Sequence, residues 1–470
     1  MTSELLHPDR LFPVEPAVRQ VAREIYQTIK ALPIISPHGH TEARWFAENL
    51  PFENPSALFI TPDHYVFRML YSQGIPMENL GVPDASGATE LNPRKIWHTF
   101  AQHYQQLYRA TPTRLWIDHA LHEVLRVSHS LNATTADQIY DEISHKLSTP
   151  AFLPRTLFER FNIEVLATTE SAVDSLTYHQ HLNQSEWKGR VITTFRPDSV
   201  TNPEHPDFQQ DMQKLAELTG QDPHNWHQYL EALRVRRRFF AESGATATDH
   251  GFPTPYTTIL SESQCQRFLT QALEGTLSAG EAEQFRGHML VEMARMSLQD
   301  GLVMQLHTGS CRNHNAHVFD RFGMDKGCDI PRPVNFVEGL EPLLNDAGNH
   351  PELTLIVFTL DESTYSRELA PLAGHYPAMK LGPPWWFHDS PEGMLRYRQQ
   401  TTETAGFYNT VGFNDDTRAF LSIPARHDVA RRMDSRFLAD LVCEHRMTLD
   451  EAIETAHDLT YRLPKEAYKL

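Results

Sequence analysis

Cysteine is scarce in this chain, with four in 470 residues: Cys265, Cys311, Cys328 and Cys443. None stands at a CxxC or other metal-ligand spacing, and a chain this long needs no disulfide framework. A reducing compartment fits, so a cytoplasmic location is expected. Positive charge is scarce too. Formal net charge is −18, which argues against nucleic acid as a partner. The densest basic run, 236–238, falls on a helical pattern and reads as a solvated helix face. Long apolar runs are missing, which excludes a membrane-spanning helix. The N-terminal residues show no basic segment followed by an apolar one, as a secretion signal would. Without such a signal the sequons at Asn132 and Asn183 read as chance. Internal repeats and low-complexity tracts are also absent.

What is present is ordinary globular composition, 40 % hydrophobic and 22 % charged. Val18, Val21, Ala22, Ile25, Ile29 and Leu32 recur at helical spacing, with Pro16 suited to the first turn. A short apolar run at 32–37 follows and ends at His38. Seven similar runs come later, at 163–169, 191–195, 245–248, 302–307, 353–358, 378–381 and 409–413. Most are separated by helical patterns, such as Trp226, Leu230, Leu233 and Phe240, or Phe285, Met289, Met293 and Met296. Eight alternating strand and helix units predict an α/β fold, a closed (β/α)8 TIM barrel. One gap breaks the rhythm. Residues 41–160 carry helical periodicity, as in Trp97, Phe100, Tyr104 and Leu107. They are expected to form a helical insertion domain after strand one, with 1–40 and 161–470 forming the barrel.

A barrel of this kind works at the C-terminal ends of its strands. After the first comes Pro37-His38-Gly39-His40. Two His at i and i+2 on an extended segment point the same way, so both imidazoles can reach one cation. The bland alternative is a pair of ordinary histidines among 26. Later strands are followed by Arg196-Pro197-Asp198, Asp249-His250-Gly251, His307-Thr308-Gly309 with Arg312-Asn313, Trp385-Trp386-Phe387, and Asp415-Asp416-Thr417-Arg418. Each has a dull reading: a turn with a local ion pair, core tryptophans, a helix cap. Together they converge if the barrel is real. Two His and one carboxylate leave a metal open positions for substrate. No lysine ends strand four to bridge two metals, which favours a single ion. Arg196, Arg312 and Arg418 call for a small anion, since guanidinium clamps carboxylates bidentately.

The ordered set resembles the uronate (glucuronate) isomerase family nearly end to end. The matching residues run from Pro37-His38-Gly39-His40, through Asp63-His64-Tyr65 and Arg68-Met69, to Thr168-Thr169-Glu170 and Arg196-Pro197-Asp198. They continue with Asp249-His250-Gly251, Gln305-Leu306-His307, Trp385-Trp386-Phe387, Asp416-Thr417-Arg418 and Arg426-His427. The resemblance implies a distorted barrel of the amidohydrolase superfamily and the interconversion of aldo- and keto-hexuronates. It implies a metal, usually zinc, held by His38, His40 and Asp416, and members that self-associate. It maps the family's active-site tyrosine to Tyr65, its strand-five histidine to His307, and its two site arginines to Arg196 and Arg418. Departures from the commoner pattern occur at Glu170, His388 and Asn414-Asp415.

Aldose–ketose interconversion removes a proton from C2 and returns one to C1 through a cis-enediol. The expected catalytic residues are Asp416 as base, Tyr65 as partner acid and His307 polarising the carbonyl. Arg196, Arg418, Arg312 and Trp386 are expected to bind the hexuronate. For Tyr65 to serve, the insertion must fold over the barrel mouth. A hydrolase of the same superfamily, such as a sugar lactonase, is the alternative, with Asp416 deprotonating a metal-bound water.

Overall fold

The computed structural model describes residues 6–470, so the reading of the first five lies outside the described residues. The helix Pro16–Ile29 starts with its proline in the first turn and buries Ala22, Ile25 and Ile29. Then come nine strands: β1 (Ile34–Ser36), β2 (Ile163–Ser171), β3 (Arg190–Arg196), β4 (Ala247–His250), β5 (Val303–His307), β6 (Ser310–Cys311), β7 (Ile330–Pro331), β8 (Leu355–Phe358) and β9 (Met379–Leu381). Seven of them form one parallel sheet in the order β1-β2-β3-β4-β5-β8-β9. β6 and β7 make a small antiparallel hairpin. The β4, β5 and β8 strands are buried along their whole length, as parallel strands covered on both faces must be.

The sequence placed an eighth strand at 409–413, and here the structure differs. That segment meets β9 through a single parallel bridge, Thr410 to Leu381. Gly412 has φ +75°, which interrupts extended backbone and ends the pairing. The curled sheet is completed at its mouth instead, where the His40 amide donates to the Thr417 carbonyl at 3.0 Å.

Between β1 and β2 the chain is helical, with seven α-helices from Ala43–Glu48 to Pro154–Arg160. Their apolar faces share one core with Ile34, Leu166 and Val191 of the sheet and with Phe420 and Leu421 beyond it. Trp97, fully buried, donates its indole N–H to the Ala136 carbonyl at 2.9 Å. On the other side, Leu230, Leu233 and Phe240 pack with Phe285, Met289, Met293 and Met296 against Met304, Leu306 and Leu355.

The basic run does not behave as expected. Arg236 and Arg237 are buried, and only Arg238 is exposed. Arg237 makes a fork-like pair with Asp300, its Nε 2.6 Å from Oδ2 and its Nη2 2.9 Å from Oδ1. Arg236 donates to the carbonyls of Ala172 (2.8 Å) and Asp174 (2.6 Å). These partners satisfy charges that burial would otherwise penalise heavily. Among the described residues no helix is long and apolar enough to cross a membrane.

Candidate active site

Strand alternation decides which side chains reach the barrel axis. In β5, Val303 belongs to the axial apolar cluster, so Gln305 and His307 share its face, while Met304 and Leu306 pack under the helices. In β4, Ala247 is axial and Asp249 follows it. Thr248 and His250 face the other way, their side chains 3.1 Å apart. In β3, axial Ile192 puts Arg196 on the inner face at the strand end. Deeper in, the Tyr468 hydroxyl donates to Gln305 Oε1 at 3.0 Å, so the chain's own C-terminal helix plugs the barrel below the site.

At the mouth these ends line a cavity of about 750 Å³. His38, His40, Tyr65, Arg196, His307, Arg312, Trp386, Asp416 and Arg418 all border it. The structure thus brings together every site residue named from the sequence, in one place.

His38 Nε2 and His40 Nε2 lie 3.4 and 3.1 Å from Asp416 Oδ1. The His38 and His307 rings stack with centroids 4.8 Å apart. Among the described residues, His38, His307 and Asp416 form a group that could hold a metal ion, with ligand atoms all within 4.8 Å of one another. His40, the other histidine of the sequence-derived ligand set, lies beside the same carboxylate oxygen. The trio fits a cation. His307 Nδ1 lies 2.6 Å from Asp249 Oδ1, an arrangement that protonates Nδ1 and leaves the Nε2 lone pair free. That Nε2 is buried and has no hydrogen-bond partner. A buried acceptor without a donor, among two imidazoles and a carboxylate, suits a divalent metal.

Burial alone would raise the Asp416 carboxyl, but His38 and His40 beside it hold it well below the usual range. Burial likewise opposes ionisation of Asp249, and Arg196 and then His307 outweigh it. Both carboxylates stay charged. Burial pushes His64 down to about 3, with Arg418 adding to the effect, so this ring is neutral.

Each arginine is held by a carboxylate. Arg196 Nε donates to Asp198 Oδ2 at 3.0 Å, the local ion pair its Arg-Pro-Asp motif suggested, and its Nη1 lies 3.2 Å from Asp249 Oδ2. Arg418 donates to Asp325 at 2.9 Å and Arg312 to Asp329 at 2.8 Å. The Arg312 guanidinium also sits over the Trp386 ring, 5.5 Å from its centre.

The helical segment between β1 and β2 reaches the mouth. Helix His64–Tyr71 is capped by Asp63, whose side chain accepts from the Tyr65 amide at 2.8 Å. This start aims Tyr65 into the cavity, with Trp116 edge-on behind it at 5.5 Å. Burial raises the Tyr65 hydroxyl well above the ordinary value; Arg426 opposes the rise and Asp389 and Asp416 add to it. The phenol stays protonated.

Sequence reasoning assigned no role to Asp249, Asp325 or Asp329. Asp249 had a usable signal, since it ends a strand beside the one that carries His307. Asp325 and Asp329 had none, because they sit in the loop entering β7 and meet their arginines only in three dimensions.

The sequence model of the glucuronate isomerase family matches residues 16–468. The chain belongs to this family. Its reaction class is uronate isomerisation, an internal oxidation–reduction between an aldose and a ketose. The uronate isomerase of Xanthomonas axonopodis pv. citri is 59 % identical over 466 residues, covering 99 % of this chain and 98 % of that one. The crystal structure of glucuronate isomerase from Caulobacter crescentus is similar with TM-score 0.97 at 55 % identity, covering 99 % of this chain and 97 % of that one. The uronate isomerase structure from Thermotoga maritima, 26 % identical, covers 98 % of this chain and 99 % of its own with TM-score 0.91.

Proposed function

We propose that this cavity interconverts D-glucuronate with D-fructuronate, and D-galacturonate with D-tagaturonate, by proton transfer between C2 and C1. The observation that carries the reading is the meeting of His38, His307 and Asp416 with Arg196 and Arg418 in one cavity. His38, His307 and Asp416 would hold one divalent ion, with His40 alongside; zinc suits the ligand types. Such an ion supplies a Lewis acid that polarises an oxygen of the open-chain sugar.

The remaining steps belong to the chain. Arg196 and Arg418 hold the C6 carboxylate and an enediolate oxygen, with Arg312 and Trp386 closing the same wall. Asp416, charged and at the centre, takes the C2 proton. Tyr65, kept protonated by burial, gives its proton to O1, forming the cis-enediol. The O2 proton then returns to Tyr65 as C1 takes up the proton from Asp416, so no proton is gained or lost overall. His307, its Nδ1 held by Asp249, would present Nε2 to the ion and donates no proton to the sugar.

We place the protein in the cytoplasm, on the support of four unpaired cysteines. By family resemblance it assembles as a homo-oligomer, and 41–160 serves as an insertion domain to the barrel.

The test is incubation of metal-replete protein with D-glucuronate in D₂O, followed by proton NMR. Fructuronate should form, and deuterium should enter C2 of recovered glucuronate. Unchanged glucuronate and galacturonate would overturn the reading.

A further inference from the structure

Behind the mouth lies a second buried charged cluster that the chemistry above does not use. Arg426, on the helix Ile423–Cys443, is 1 % exposed. Its Nε donates to Ser422 Oγ at 3.2 Å. Its Nη1 donates to Asp389 Oδ2 and, at 3.3 Å, to the Asp415 carbonyl. The flat face of the guanidinium lies 3.5 Å from the centre of the Trp116 ring and 5.6 Å from that of Tyr65.

One side chain therefore joins three separated pieces of the site. Trp116 and Tyr65 come from the helical segment before β2, Asp389 from the loop after β9, and Asp415 from the segment that carries Asp416. The peptide it grips leads directly into Asp416, whose φ of +38° lies on the left-handed side that non-glycine residues adopt uncommonly. Asp389 is buried, and its second oxygen has no hydrogen-bond partner, so its carboxylate serves Arg426 alone. Arginine suits this post because its planar fork can donate in plane while its face stacks on an aromatic ring. Neither Arg426 nor Asp389 borders the cavity.

We propose that Arg426 is a positioning residue for the isomerisation: anchored by Asp389 and stacked on Trp116, it sets the place of the Tyr65 ring relative to Asp416. The proposal rests on the reading of Tyr65 as proton donor. A group that acts through Tyr65 controls turnover and leaves substrate and metal binding alone.

The test compares Arg426→Lys, Arg426→Met, Tyr65→Phe and the double variant Arg426→Lys/Tyr65→Phe in the full, metal-replete chain. Glucuronate kinetics, bound metal and Tm are measured for each. Lysine keeps the charge beside Asp389 but loses the fork and the flat face, so it remains informative if the methionine variant does not fold. Arg426→Lys should lower kcat by about 10–100-fold, the cost of misplacing a reacting group by roughly an ångström. Metal content and KM should stay within about twofold of the parent. In the Tyr65→Phe background the same change should cost less than about threefold, because the group it positions is already gone. Parental kcat in Arg426→Lys overturns the proposal. So does a full additional loss in the double variant, or a loss that follows metal content and Tm. Parental kcat in Tyr65→Phe alone overturns the donor reading itself, a failure visible before residue 426 is altered.

Discussion

At the scale of single residues, the site depends on which side chain carries which proton. Tyr65 is buried against Trp116 and remains a phenol, so its contribution should be confined to the proton step. Tyr65→Phe is expected to lower kcat about 100-fold or more with KM little changed, read by steady-state kinetics. A rise in KM at constant kcat would make Tyr65 a binding group instead. Asp249 acts one step further out, fixing the His307 ring from Nδ1. Asp249→Asn keeps the shape but can present an amide N–H to that nitrogen and favour the wrong tautomer. Metal affinity should drop about 10–100-fold, measured by competition with a chelator. Unchanged affinity would mean that His307 serves substrate only. Residues with a local signature were legible in the sequence. His38 and His40 lie two apart, and Arg418 lies two beyond Asp416. Asp325 was not, and Arg426 entered only as part of the family resemblance, because their partners Arg418 and Asp389 lie 93 and 37 positions away.

At the scale of elements, the strands are short and depend on what covers them. β1 has three residues between Pro33 and Pro37, which lack the N–H a longer ladder needs. The sequence showed β2 to β5, β8 and β9 because buried residues predominate in each short run. It overstated 409–413, where an apolar run hides the break at Gly412. It misjudged Arg236 and Arg237 because a local window cannot see Asp300 or the carbonyls of 172 and 174. On the outer face of β2, Glu170 packs toward the helix Thr177–Gln184. Thr193 donates to its carboxylate, and His179 lies 3.7 Å away. Burial pushes Glu170 up to about 7, while burial pushes His179 down to about 4. The folded state thus prefers the neutral acid. The stability this gives is fully present below the unfolded value near 4.5 and is lost as pH rises through about 7. Glu170→Gln keeps the neutral form at every pH. It should match the parent near pH 4.5 and become more stable by roughly 1–3 kcal/mol above pH 7, as urea melts at several pH values would show. A difference that does not change with pH would refute the burial argument.

At the scale of the whole molecule, the barrel has a seam. Seven strands pair in sequence, but the last segment holds to β9 by one bridge and to β1 by the contact of His40 with Thr417. The proposed ligands straddle that seam: His38 follows β1, Asp416 lies on the far side, and His307 ends β5 on the opposite wall. A bound ion would therefore act as a clasp as well as a chemical group, linking segments that backbone hydrogen bonds join only loosely. A ligand that binds only the folded state adds about 4 kcal/mol when present at a thousand times its dissociation constant. For a chain of this size that corresponds to a Tm rise of roughly 5 °C. Chelation should abolish turnover, lower Tm by that amount and restore both on adding zinc. The loss of protection should be local: amide exchange should quicken at 34–40 and 409–418 while the helices packed on β3 and β4 keep their rates. Metal-free protein with unchanged Tm and exchange would show that the seam closes without the ion. The metal's role would then be confined to the sugar.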